Sequence, residues 1–172
     1  MCQSINKKVA VVMGSDSDLG VMKSCLTTLK KFGIEFEVRI VSAHRTPYEA
    51  EELAKNAEAN GFGVIIGAAG KAAHLAGVLA AYTTLPVIAV PIKASALEGL
   101  DSLLSMVQMP PGIPVATVAI DGAANAALLA AQILALSDHD LSHKLKLYKY
   151  EMAEEVKRKD KELGAKLDEL LK

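Results

Sequence analysis

Ser42-Ala43-His44-Arg45-Thr46-Pro47 sets an ionisable imidazole beside a guanidinium. Histidine exchanges protons near neutral pH. Arginine grips phosphate or carboxylate with a fixed fork of donors. The flanking residues locate the pair. Phe36-Glu37-Val38-Arg39-Ile40-Val41 alternates with a strand period. Thr46 and Glu49 have the spacing of a capping box, and Pro47 suits a first helical position. Residues 42–45 are therefore expected in a short loop at the carboxyl end of a strand, where open α/β sheets bind ligands. The chemistry that fits is acid–base catalysis on an anionic small molecule. A surface histidine and arginine in a capped loop would show the same spacing.

Two more loops could serve the same ligand. Gly14-Ser15-Asp16-Ser17-Asp18 follows an apolar run and opens a helical pattern. Glycine lets a ligand approach the backbone, and the free N–H groups of a helix start attract phosphate. Ser15 and Ser17 can donate hydroxyls, and Asp18 can accept from sugar hydroxyls. Ser and Asp are also ordinary helix caps. No Gly-Lys-Ser/Thr follows, so this is not a Walker loop, and the spacing of a dinucleotide fingerprint is missing. Gly67-Ala68-Ala69-Gly70-Lys71-Ala72-Ala73-His74-Leu75-Ala76-Gly77 leaves backbone open to a flat ligand. His74 reads either as a second polar group of a site or as a structural histidine at a helix start. Lys93 could face the same crevice, and Asp101-Ser102 reads as a helix cap. His139 and His143 are four residues apart on a helical pattern, but no third metal ligand follows them, so a solvated face is the expectation.

Strand and helix signals must position these loops. Strands are expected at 8–13, 36–41, 63–68, 87–90 and 115–120. Helices are expected at 17–32, 47–60, 72–82, 101–108 and 123–136. Five βα units of this size imply an α/β three-layer sandwich on a parallel sheet, flavodoxin-like, with strand order 2-1-3-4-5. In that order the loops at Gly14, Ser42 and Gly70 converge at the topological switch point. Residues 1–137 are read as one catalytic domain and 138–172 as its amphipathic helical extension. Leu141, Leu145, Tyr148, Met152 and Val156 form an apolar stripe there. Leu163, Leu167 and Leu170 continue it after a polar gap at Lys159 and Asp160, with Gly164 as a candidate break. The stripe needs a surface, either its own domain or a neighbouring subunit.

Composition bounds what such a chain can do. It has 172 residues, 51% apolar and 23% charged, enough for one real core. Trp is absent, so Val, Ile, Leu and Ala must build that core. A net charge of −1 gives no general attraction to nucleic acid or to an anionic membrane. Cys2 and Cys25 are too few for a disulfide framework or a zinc site, and Cys25 falls in an apolar helical pattern as a buried thiol. No signal region or lipobox opens the chain, and no apolar run reaches the ~20 residues of a membrane helix. A cytoplasmic protein is the expectation.

Read together, the motifs resemble the aminoimidazole ribonucleotide carboxylase family of purine biosynthesis. The carrying residues are 14–18, 42–47, Ala72-Ala73-His74-Leu75, the run from Leu100 to Pro110, and Asn125-Ala126-Ala127-Leu128-Leu129-Ala130. The match spans about residues 8–137. The resemblance implies a small-molecule ribonucleotide substrate, no metal, biotin or ATP, and a homo-octamer with sites near subunit contacts. It implies His44 as the acid–base residue, Ser15 and Asp18 on the ribose phosphate portion, and Arg45 on the phosphate. Ser42 and the Gly70 loop, with Lys71 and His74, would line the pocket. One branch of the family moves a carboxylate from N5 to C4 of its substrate, and the other carboxylates aminoimidazole ribonucleotide directly with CO2. Arg45, His74-Leu75 and residues 101–110 resemble the first branch. That branch usually has Gly at the place of Lys71 and Pro at the place of Ala76, and a basic residue at 71 resembles the second. A rival is a non-catalytic flavodoxin-like module that binds a flavin or another phosphate ligand. The absence of Trp and of a Ser/Thr-rich phosphate loop speaks against a flavin. A receiver domain would need Asp where Gly67 and Ala68 stand.

Overall fold

Val9, Val11 and Met13 point to one side of the first strand and Ala10 and Val12 to the other, and all five are buried. A strand buried on both faces belongs inside a parallel sheet covered by helices. The computed structural model describes residues 7–94 and 97–171, without the side chains of residues 165, 166, 168 and 169. It places this strand (β1, Lys8–Met13) between β2 (Phe36–Ile40) and β3 (Phe62–Gly70). The strands β4 (Val87–Ile92) and β5 (Ala116–Thr117) complete a five-stranded parallel sheet of order 2-1-3-4-5. The helices are α1 (Leu19–Phe32), α2 (Pro47–Asn56), α3 (Leu75–Ala81), α4 (Leu100–Val107), α5 (Ala123–Leu134) and α6 (His139–Leu170).

Two cores sandwich the sheet. Met22, Cys25 and Leu29 of α1 and Ala126, Ala127 and Ala130 of α5 pack on one face. Ala50 and Ala54 of α2, Leu75 and Leu79 of α3, and Met106 of α4 pack on the other. The three-layer, flavodoxin-like architecture expected from the sequence is thus present. Its alanines let helices lie close to the strands. A Cβ added at Gly67 would meet Ala76 at 3.2 Å, so a glycine in β3 is what lets α3 approach.

Several expected boundaries shift for local reasons. The strand expected at 115–120 shrinks to two ladder residues, because β5 is an edge strand paired only with β4. Strand β4 runs two residues past its expected end, through Pro91. Proline lacks an N–H, yet its carbonyl still accepts from the N–H of Asp121 at 2.8 Å. The expected helix at 17–32 begins instead as one 3-10 turn over Asp16–Asp18. Its N-terminus carries a capping box made by Ser15 and Asp18. The box expected at Thr46 and Glu49 does not form. The Thr46 hydroxyl accepts from the Ser42 N–H (3.0 Å) and donates to the Ser42 carbonyl (3.1 Å), pinching the loop shut.

Helix α6 starts with its Leu141 N–H donating to Asp138 Oδ1 at 2.9 Å and passes Gly164 without a break. Leu141 is buried, and Leu145 and Tyr148 pack against the α1–α5 core. The Tyr148 ring meets Phe32 edge-on, 5.5 Å between centroids. Lys144 Nζ donates to the Phe32 carbonyl at 3.2 Å. The first turns of the stripe therefore fold back on their own domain, and the later turns do not.

Candidate active site

Four strand ends build the site. Met13 of β1 is in register with Ile40 of β2 and Ala68 of β3, and Gly70 of β3 with Ile92 of β4. Helices α1 and α3 leave β1 and β3 toward opposite faces, which opens a crevice between those strands. Ser15, Asp18, Ser42, His44, Arg45, Gly70, Lys71 and His74 all line that crevice, whose volume is about 690 Å³. A wider groove of about 970 Å³ lies at the opposite end of the sheet, around Tyr82, Pro86 and Pro114. Its lining holds no histidine.

His44 Nε2 lies 2.8 Å from His74 Nδ1. The rings meet edge to face, with centroids 5.0 Å apart at 81°. Whichever nitrogen carries the hydrogen, the other must present a lone pair. A protonated His44 thus has a neutral partner beside it, and its Nδ1 makes no other hydrogen bond among the described residues. Position 74 is the residue just before α3, so that helix delivers its ring to the loop after β2. The His74 ring bonds the imidazole of His44 and makes no cap bond to the helix end.

Around the pair stand cationic side chains on one side and a carboxylate with serine hydroxyls on the other. Arg45 Nη2 donates to the Gly14 carbonyl at 3.2 Å, and the Arg45 N–H donates to Ser42 Oγ at 3.2 Å. Arg45 Nε also donates to Ser42 Oγ at 3.4 Å, so these bonds tie the β1 and β2 loops together and leave Nη1 without a partner among the described residues. Lys71 and Lys93 line the same crevice. Lys93 is ion-paired with Glu98, which raises the pKa of its ammonium through that hydrogen bond and charge. Three cations in one crevice favour an anionic ligand, although the whole chain is slightly negative.

Asp18 lies on the crevice floor. Its carboxylate accepts from the Ser15 N–H at 3.2 Å and from the Ser17 hydroxyl at 3.3 Å. Burial raises its pKa above 3.8, because loss of water disfavours the charge, while those hydrogen bonds pull the value down. A Cβ at Gly14 would make ordinary contact with Ala69, at 3.6 Å. Lys71 has φ 58°, a left-handed conformation that glycine adopts without strain. Ala76 falls in the first turn of α3, where proline would also fit because that N–H has no helical acceptor.

Sequence reading missed part of the wall. Ile92 and Ala94 line the crevice where β4 was expected to have ended. Asp101 and Ser102 do not act as the expected cap. Ser102 is buried and donates to the Ile92 and Gly99 carbonyls, at 3.0 and 2.8 Å. Gly99 takes the helix-start position with φ 90°. His139 and His143 sit exposed on α6, and no group of three or more His, Cys, Asp or Glu among the described residues could hold a metal ion.

Comparison with known proteins gives the family. The AIR carboxylase family model matches residues 8–155. The N5-carboxyaminoimidazole ribonucleotide mutase of Pyrococcus abyssi is 59% identical over 145 residues, 84% of this chain and 83% of that protein. The protein of the same name from Pyrococcus horikoshii is 57% identical, over 90% of this chain and 88% of its own. The crystal structure of Treponema denticola PurE superposes with a TM-score of 0.84 at 34% identity, covering 91% of this chain and 98% of that one. Motifs, sheet order and these likenesses coincide, and the chain belongs to the AIR carboxylase family.

Proposed function

We propose that this chain is an N5-carboxyaminoimidazole ribonucleotide mutase of purine biosynthesis, with His44 as its proton carrier. The observation that carries the role of His44 is its 2.8 Å bond to His74 at the mouth of a cationic crevice. Protonation of N5 by His44 breaks the N5–carboxylate bond and releases CO2. The electron pair at C4 of the aminoimidazole attacks that CO2 and forms the new carbon–carbon bond. His44 then takes the C4 proton, so the proton given is recovered and no other reactant is consumed. A positioned acid–base group of this kind typically contributes ~10²–10⁴-fold. Arg45 holds the substrate phosphate, Ser15 and Asp18 hold its ribose phosphate portion, and Ser42, Gly70, Lys71 and His74 close the pocket around CO2. The route needs no metal, biotin or ATP.

The catalytic unit spans residues 1–137, with 138–172 as its helical extension. It works in the cytoplasm as a homo-octamer. An uncovered ridge of Leu97, Leu100, Leu104 and Val107 on and before α4, beside the crevice, supports assembly. Asp101 Oδ1 in that helix is buried without a hydrogen-bond partner among the described residues. The number eight rests on the family resemblance. No helix is long and apolar enough to cross a membrane.

Lys71 favours a second reading, direct carboxylation of aminoimidazole ribonucleotide by CO2. It keeps a cation in a left-handed position that glycine would hold freely. One assay separates the two. The pure protein is given N5-carboxyaminoimidazole ribonucleotide, or aminoimidazole ribonucleotide with bicarbonate, and turnover is compared. Faster turnover of the first supports the mutase, and turnover of the second alone overturns it.

A further inference from the structure

Thr46 stands at the cap position of α2 and does not cap it. Pro47 at the start of the helix keeps the residue before it out of the helical region. The Thr46 carbonyl accepts a first helical bond, from the Ala50 N–H at 3.2 Å. A threonine so placed ordinarily turns its hydroxyl onto the free N–H groups of the first turn. Here the side chain makes no such bond. It turns back to Ser42 and meets both backbone groups of that residue, accepting from the N–H at 3.0 Å and donating to the carbonyl at 3.1 Å. The Thr46 N–H donates to the same carbonyl at 2.8 Å. Three hydrogen bonds thus close a five-residue turn whose middle residue is His44.

The closed turn is passed on to the side chains. Ser42 Oγ accepts from the Arg45 N–H at 3.2 Å and from Arg45 Nε at 3.4 Å. Arg45 Nη2 goes on to the Gly14 carbonyl, and the His44 ring goes on to His74. His44 and Arg45 are themselves exposed, so close packing does not hold them, and the turn beneath must. Thr46 does not line the crevice. Its route to a ligand therefore runs through Ser42.

We propose that Thr46 is a positioning residue of this site. Its hydroxyl locks the Ser42 backbone, so that Arg45 and His44 are already placed before a ligand arrives and less ordering is left to binding. The proposal deepens the mutase reading and rests on it for the roles of His44 and Arg45.

Two substitutions in the full-length protein test it. Thr46→Val keeps the shape and removes the hydroxyl, and Thr46→Ser keeps the hydroxyl. Thr46→Val should lower kcat/KM roughly 10–100-fold, with KM raised and kcat lowered together. Thr46→Ser should stay within about threefold of the parent. Parental kcat and KM in Thr46→Val, or an equally deep loss in Thr46→Ser, overturns the proposal. Thr46→Ala takes the place of the valine variant if that variant does not fold. Affinity for ribose 5-phosphate, measured by calorimetry, separates positioning from a general loosening of the fold. Thr46→Val should weaken it roughly fivefold in the parent, and by less than about twofold where Ser42→Ala has already removed the oxygen that receives Arg45. Equal weakening in both backgrounds overturns the route through Ser42. A parent that binds ribose 5-phosphate but turns over neither substrate refutes the mutase reading, and the same two ratios still decide Thr46.

Discussion

His44 and His74 share one hydrogen bond through Nε2 and Nδ1, which leaves Nδ1 of His44 without a partner among the described residues. His44→Asn keeps the size and a hydrogen-bonding edge but cannot carry a proton. It should fold as the parent does and lose at least ~100-fold in turnover. Near-normal turnover with native-like melting would exclude His44 as the acid–base group. Arg45→Lys replaces a two-pronged donor by a point charge, so it should raise KM more than it lowers kcat. An unchanged KM would remove the phosphate role from Arg45.

Asp18 lines the crevice, and its titration bears on stability. Its pKa is raised on folding, so the folded chain binds that proton more tightly than the unfolded chain. The associated stability is fully present below the unfolded value near pH ~4 and is lost as pH rises through the folded value. Asp18→Asn abolishes this loss while its amide oxygen still accepts from Ser15. Relative to the parent, the variant should become more stable as pH climbs from ~4 to ~7, and should bind substrate more weakly at pH ~7. Paired thermal melts at the two pH values, with a KM measurement, check it. A stability gap that does not widen with pH would contradict burial as the dominant influence on Asp18.

At the scale of elements, the loop after β3 holds Lys71 in a left-handed backbone conformation, φ 58°. Lys71→Gly removes a side chain from a left-handed backbone position and should raise stability by about 1 kcal/mol, seen as a higher Tm. Mutase activity should survive, while any direct carboxylation should fall if Lys71 recruits CO2 or bicarbonate. Loss of both activities would make Lys71 part of the mutase pocket itself. The convergence of the Gly14, Ser42 and Gly70 loops was legible because strand order follows from alternating βα units. The His44–His74 bond was not, since the two residues are separated by 30 positions and only packing of α3 joins them. Helix ends were misjudged where side chains bond loops instead of caps, as Thr46 does with Ser42. The Ser15–Asp18 box was visible as a pair of possible caps, but its dual use as cap and crevice floor needed coordinates.

At the scale of the molecule, too much apolar surface stays open on one chain. The ridge from Leu97 to Val107 flanks the crevice, and Ile40 on edge strand β2 is 57% exposed. Burying a leucine or isoleucine of this kind is worth roughly 1.5–3 kcal/mol, so several together can hold subunits firmly. Eight chains of 18.2 kDa should appear by light scattering as one species of roughly 146 kDa with closed symmetry. Leu104→Glu places a charge in the ridge without touching the crevice residues, so it should shift that species to smaller assemblies and, if sites are shared between subunits, lower activity with it. Removal of residues 138–172 acts differently, because Leu141 and Tyr148 cover the α1–α5 core, and it should lower Tm before it changes mass. A parent protein that stays monomeric at micromolar concentration and turns over fully would refute both the assembly and the shared site.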